Sequence, residues 1–125
     1  VWTKIRPHFI MRKKKQSNPY RVYATYFPDG RYYIGYSNKS PKLFEKYFGS
    51  SKEIKESKEE LCKEVIAEFT TKSHAKMQEF LLQWQYRHDE MCINDMIHLR
   101  MRLTYLKNFE PIEWKPKGTT YYPRP

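Results

Sequence analysis

The run Tyr20–Ser37, YRVYATYFPDGRYYIGYS, confines this chain more tightly than any other stretch, because it can close into only one β-hairpin. Pro28-Asp29-Gly30 is a turn signal: proline presets φ and glycine accepts a positive φ. The flanks, Tyr20–Phe27 and Arg31–Ser37, are rich in Tyr, Val, Ile and Thr, which suit a pleated strand. A three-residue loop opposes Phe27 to Arg31, Tyr26 to Tyr32, Ala24 to Ile34 and Val22 to Tyr36. That register collects Val22, Ala24, Tyr26, Tyr32, Ile34 and Tyr36 on one core-forming face. A two-residue loop slips the pairing by one and mixes the faces, so the pattern selects the former.

The opposite face holds Arg21, Tyr23, Thr25, Arg31, Tyr33, Gly35 and Ser37. Tyr23 lies across from Gly35 and diagonal to Tyr33, about 7–8 Å away by sheet geometry. A mid-strand glycine costs stability and marks a place where something approaches the backbone closely. Two phenols and an arginine around that opening suit an anion. The competing reading is that these tyrosines are ordinary strand formers.

Downstream, residues 38–51 read as loop with a helical turn around Lys42–Tyr47, and Lys52–Glu60 as an exposed helix with i,i+4 charge pairs. Gly49-Ser50-Ser51 offers backbone N–H groups and hydroxyls to a phosphate, or simply caps the next helix. Leu61–Phe69 alternates, with Leu61, Val65, Ala67 and Phe69 on one side, and predicts a third, antiparallel strand. Thr70–Ser73 supplies caps for a helix from Ser73 to Arg87, on which Met77, Phe80, Leu81 and Trp84 form a stripe. Glu79 points roughly the other way, beside Ala75, Leu82 and Tyr86, and is the only carboxylate between Phe69 and His88. An acid in such company is neutralised, paired or bound to a metal; the alternative is a surface glutamate offsetting Lys76 or Arg87. His74, at the start of that helix, is a candidate proton shuttle or a capping histidine. In Met96–Phe109, Ile97, Met101 and Tyr105 have helical spacing while Leu99, Met101, Leu103 and Tyr105 alternate as in a strand; length and Asn94 as a candidate N-cap favour helix.

At 125 residues the chain has room for one domain with one modest core. It divides into a basic arm (1–19) carrying Arg12, Lys13, Lys14 and Lys15, a central domain (20–109) and an extended Pro/Tyr-rich tail (110–125). The tail's Trp114, Tyr121 and Tyr122 are expected to dock on the domain or a partner. The fold class expected is α/β in the loose sense, more strictly α+β: a small three-stranded antiparallel sheet flanked by helices. Twenty-four Lys+Arg against fourteen Asp+Glu give a net charge of +10, which favours a polyanion through counterion release. Nucleic acid is the commonest such partner, with anionic membrane the rival. No apolar run approaches the ~18–20 residues of a membrane span, and no signal-peptide run is visible, so a cytoplasmic protein is expected. Cys62 and Cys92 read as reduced thiols. His88, Cys92 and His98 lack the matching second pair of a zinc site.

Several of these segments together carry a family resemblance. Arg21-Val22-Tyr23, nine residues, then Tyr33-Ile34-Gly35 resembles the paired signature of the GIY-YIG nucleases. Tyr47-Phe48-Gly49-Ser50-Ser51-Lys52 is similar to a run in their phage-borne, homing-endonuclease-like branch. The strand through Lys63–Phe69 and the helix bearing Glu79 follow in the branch's order and spacing, and the likeness spans roughly residues 20–94. It implies a DNA endonuclease dependent on Mg²⁺ or Mn²⁺, in a bacterial host cell if phage-encoded. By resemblance, Glu79 holds the metal, Tyr23 assists deprotonation of the attacking water, and Tyr33 orients the phosphate or shares that role. No arginine follows Gly35 at the family's usual place, so Lys52, or Lys46, stands in for it. Asn94 corresponds to an asparagine near the metal. Arg21, Arg31, Gly35, Ser50, Ser51, Lys46 and the basic arm are the expected DNA contacts. Small modules of this kind borrow specificity, which implies a homodimer or a separate specificity domain. The alternative is a nucleic-acid-binding or assembly protein that keeps the fold and does not cut.

Overall fold

The structure, a computed structural model, describes residues 19–97 and 99–117. The Arg12–Lys15 arm, His98, Tyr121 and Tyr122 lie outside the described residues. Strands β1 (Tyr20–Tyr26) and β2 (Tyr32–Ser37) form the hairpin in the predicted register, with Tyr23 opposite Gly35 and Tyr26 opposite Tyr32. The turn closes with Phe27 N–H donating to the Arg31 carbonyl at 2.8 Å, and Gly30 takes φ 98°. Strand β3 (Cys62–Phe69) pairs antiparallel with the other edge of β1, giving the order β2-β1-β3. The protein is thus α+β, built on a three-stranded antiparallel sheet with helices.

Helix α3 (Lys72–Gln85), capped by the Thr71 hydroxyl, lies on the apolar face. Val22, Ala24, Tyr26, Tyr32, Ile34, Ala75 and Leu82 form the buried cluster there. Each large aliphatic side chain so buried contributes about 1.5–3 kcal/mol.

The opposite face is covered too. Between β2 and β3 come two single-turn helices, α1 (Pro41–Glu45) and α2 (Lys52–Glu56), capped by Ser40 and Ser51. They send Phe44 and Ile54 inward. Phe44 and Tyr47 meet the Tyr23 ring edge-on, at 5.4 and 6.2 Å between centroids. Thr25 donates to the Phe48 carbonyl at 2.6 Å, and the Lys63 ammonium donates to the carbonyls of Phe44 and Tyr47. These bonds tie the loop to the sheet and let Arg21, Tyr23 and Thr25 be buried on what the sequence presents as the polar face.

Four expectations are corrected. The helix starting at Lys52 stops at Glu56 rather than Glu60, because Ser57 turns extended and its hydroxyl accepts from Glu59 N–H. In β3, Val65 does not share a side with Ala67: Val22 pairs with Ala67 but Tyr23 with Val65, a bulge that inserts one residue and reverses the alternation. On α3 the buried side is Ala75, Gln78, Leu82 and Gln83, whereas Trp84 of the apolar stripe is exposed. Both glutamines can be buried because the backbone satisfies them: Gln78 exchanges two bonds with Ile112, and Gln83 donates to the Ile34 carbonyl at 3.0 Å. Finally, residues 96–109 form no α-helix, only a 3₁₀ turn at Leu103–Leu106.

Asn94 explains that last difference. Its side chain is engaged by β2: the amide oxygen accepts from Ile34 N–H at 2.8 Å, and the amide nitrogen donates to the Ile34 carbonyl at 2.9 Å. With Tyr32 N–H on the Met91 carbonyl and Ile93 N–H on the Tyr32 carbonyl, segment 91–94 stands in for a fourth strand. Beyond it, Trp114 docks as expected, against the Tyr32 and Tyr86 rings and hydrogen-bonded to Glu64. Among the described residues, no helix is long and apolar enough to cross a membrane.

Candidate active site

A cleft of about 620 Å³ opens where the end of β2, the loop into α2, helix α3 and segment 93–96 meet. Tyr33 comes from β2; Ser50, Ser51 and Lys52 come from the loop and the start of α2; Lys76, Glu79 and Gln83 come from α3; Asn94 and Asp95 close the far side. The sequence therefore brings four separated segments to one opening.

Two glycines seat the two tyrosines. A Cβ on Gly35 would lie 2.6 Å from the Tyr23 hydroxyl oxygen and 2.8 Å from Tyr33 Cε2. At Gly49, whose φ is +144°, a Cβ would lie 2.7 Å from Tyr33 Cε2. The close approach that Gly35 permits is thus by the protein's own Tyr23 ring. Tyr33 closes the wall with its hydroxyl 3.2 Å from Ser50 Oγ.

Tyr23 is fully buried, and its hydroxyl has no hydrogen-bond partner among the described residues. Burial first, then the neighbouring Tyr47 and Tyr33 phenols, push its pKa far above the ordinary tyrosine value. In this state it is a donor and not a base. Burial also raises Tyr33, partly offset by Ser50, with Tyr47 and Glu79 adding to the rise.

Glu79 is drawn inward with a side chain only 12% exposed. Lys76, one turn earlier, puts its ammonium 2.9 Å from Oε1, while Gln83 donates to Oε2 at 3.3 Å. The same ammonium sits 5.0 Å from the centroid of the Tyr36 ring. The carboxylate is thus paired on the sheet side of α3, in company with both tyrosines, and is not a solvated surface group.

Of the candidates from sequence, Tyr33, Ser50, Ser51, Lys52, Glu79 and Asn94 line the cleft, with Tyr23 and Gly35 directly behind Tyr33. Others lie elsewhere. Arg21 is buried, donating to the Lys39 carbonyl at 2.8 Å, paired with Glu68 and stacked over Phe44. Arg31 is held over Phe27 by Asp29, Glu53 and Glu59. Lys46 borders a separate hollow with Phe48, Ile54 and Leu61. His74 packs its ring against Phe69 and Phe109. Sequence reasoning gave no site role to Gln83 or Tyr47, took Gly49 only as part of a phosphate-facing or capping turn, and named Lys76 only as the partner of a surface glutamate. Lys76 had a signal: at i,i+3 from the lone acid, it had to share that acid's helical face.

Among the described residues, no group of three or more His, Cys, Asp or Glu side chains could hold a metal. Mg²⁺ makes a smaller demand, since it keeps several waters and is held by one or two carboxylates plus substrate phosphates. The hard oxygen donors at Glu79 fit that chemistry. Compared with known proteins, the chain matches no family model, no curated protein and no solved structure, so the cleft itself carries the functional reading.

Proposed function

We propose that this protein is a Mg²⁺-dependent DNA endonuclease on a GIY-YIG-like fold. The observation that carries the reading is the convergence on one cleft of Tyr33, Lys52, Lys76 and Glu79, with the Tyr23 hydroxyl, unpartnered among the described residues, behind them. Glu79 would hold the ion, with Mn²⁺ as a substitute; when bound, it supplies charge neutralisation at the phosphorane and acidifies a water. The chain's own residues do the rest. Lys52 neutralises a flanking phosphate as a point charge, without the bidentate grip an arginine gives. Tyr33 orients the phosphate and the attacking water through its hydroxyl, and the water's proton leaves through that hydroxyl to solvent. Tyr23 donates its hydrogen bond from below once a substrate oxygen reaches it. The net charge of +10 draws the DNA polyanion to the surface without reading its sequence.

The test is nicking of supercoiled plasmid with Mg²⁺, comparing the parent with Glu79→Ala. Loss of a central electrostatic group should cost roughly 10²–10³-fold in rate. Nicking that survives the substitution removes Glu79 from the site. A second reading, a nucleic-acid-binding or assembly protein that does not cut, is favoured by the sealed Tyr23 and by the engagement of Arg21 and Arg31 within the fold. DNA binding with no nicking in either Mg²⁺ or Mn²⁺ selects it.

A further inference from the structure

We infer that Lys76 is a built-in competitor for the divalent ion at Glu79: its ammonium occupies a carboxylate oxygen the ion needs, and metal binding requires its release into the cleft. The inference rests on the proposed metal role of Glu79 and adds a control of that site. Three observations carry it. The Lys76 Nζ–Glu79 Oε1 contact, at 2.9 Å, is a full charge-assisted hydrogen bond. It is also partly shielded, with the two side chains 28% and 12% exposed, so it is screened less than a surface ion pair. Third, Gln83 donates to the other oxygen, Oε2, so both Glu79 oxygens are engaged and an arriving cation must displace a donor.

Lys76 has somewhere to go. It lines the cleft together with Tyr33 and Lys52, so an ammonium released from Glu79 stays within reach of a phosphate lying there. The released lysine then adds the second cation that a cleft without an arginine lacks. A site that stays paired until the ion arrives holds no buried bare carboxylate while empty. Removing the ammonium should make the ion bind more tightly and the phosphate more weakly.

The experiment is Mn²⁺ titration by isothermal calorimetry on the full chain, with parent, Lys76→Met, Lys52→Met and Glu79→Gln. Lys76→Met should bind Mn²⁺ roughly tenfold more tightly, since a like charge at hydrogen-bond distance has gone. Lys52→Met removes an equal charge from the same cleft and should shift affinity much less. Glu79→Gln, isosteric and uncharged, should abolish the binding. Equal tightening in both lysine variants means a general field effect and overturns the inference, as does unchanged affinity in Lys76→Met; in both cases the metal role of Glu79 stands. Mn²⁺ binding that persists in Glu79→Gln, or is absent from every protein, overturns both. On the unmutated chain, Mg²⁺ should speed acylation of the Lys76 amine several-fold, read by peptide mass spectrometry, relative to the other lysines. An unchanged rate sinks the release step.

Discussion

Tyr23 shows the tension between stability and function at the level of one atom. A buried hydroxyl without a partner costs roughly 1–3 kcal/mol, whereas its removal to an apolar isostere can be neutral or stabilising. Tyr23→Phe should therefore leave the fold intact or raise its stability by about 1 kcal/mol in urea denaturation, while plasmid nicking falls sharply. A destabilisation above about 1 kcal/mol would mean the hydroxyl has a partner in solution and is structural. The facing of Tyr23 and Gly35 was legible, because a period of two and a three-residue turn admit one register. Its complete burial was not. The cover is two single-turn helices and a loop whose sequence, rich in lysine and glutamate, reads as a solvated surface. Only the anchoring bonds from Thr25 and Lys63 to loop carbonyls show why it lies down on the sheet, and such side-chain-to-backbone bonds leave no periodic trace.

Among elements, α3 is where pattern and packing part. Met77, Phe80, Leu81 and Trp84 satisfy the helical period, yet the side against the sheet carries two glutamines. Hydrophobic periodicity identifies the helix and not its inward face when polar side chains there have backbone partners. Gln78 is the sharpest case: only 1% exposed, it receives Ile112 N–H at 2.7 Å and donates to the Ile112 carbonyl at 2.9 Å. Gln78→Ala should cost about 2 kcal/mol, two hydrogen bonds plus a small void. Hydrogen exchange at the Ile112 amide should accelerate well beyond the change at β1 amides, because the clamp fails before the sheet does. Uniform acceleration across both would show instead that the tail and sheet unfold as one unit. The misreading of residues 96–109 has the same origin. Asn94 was recognised as a residue that satisfies backbone groups, but its targets are across the sheet edge at Ile34, sixty positions away, where no local rule points.

For the whole molecule, the tyrosines set an alkaline limit on stability. Tyr23 and Tyr32 are both fully buried, and burial pushes both pKa values far up; at Tyr32 the Asp89 carboxylate, accepting its hydroxyl at 2.6 Å, adds to the rise. An unfolded tyrosine ionises near pH 10. Below that pH both states keep these protons, so the contribution is fully present and independent of pH. Above it the unfolded chain has lost protons that the folded chain still holds, and stability falls as pH rises. Each such group contributes about 1.4 kcal/mol per pH unit, so the pair removes roughly 3 kcal/mol between pH 8 and pH 11. Against a typical total of about 5–15 kcal/mol, that is a large fraction. Deprotonation of the many lysines works the other way, since it relieves self-repulsion at a net charge of +10. That relief is spread over charges that salt screens, however, so it is the smaller effect. The urea midpoint should accordingly hold level from pH 7 to about 9.5 and drop steeply above it. In Tyr23→Phe the slope above pH 10 should be shallower than the parent's, because one of the retained protons is gone while those of Tyr32 and the other buried phenols remain. A parent midpoint that stays flat to pH 11, or a variant slope equal to the parent's, would mean that Tyr23 ionises as readily in the folded protein as outside it, and that the floor of the cleft is open to water.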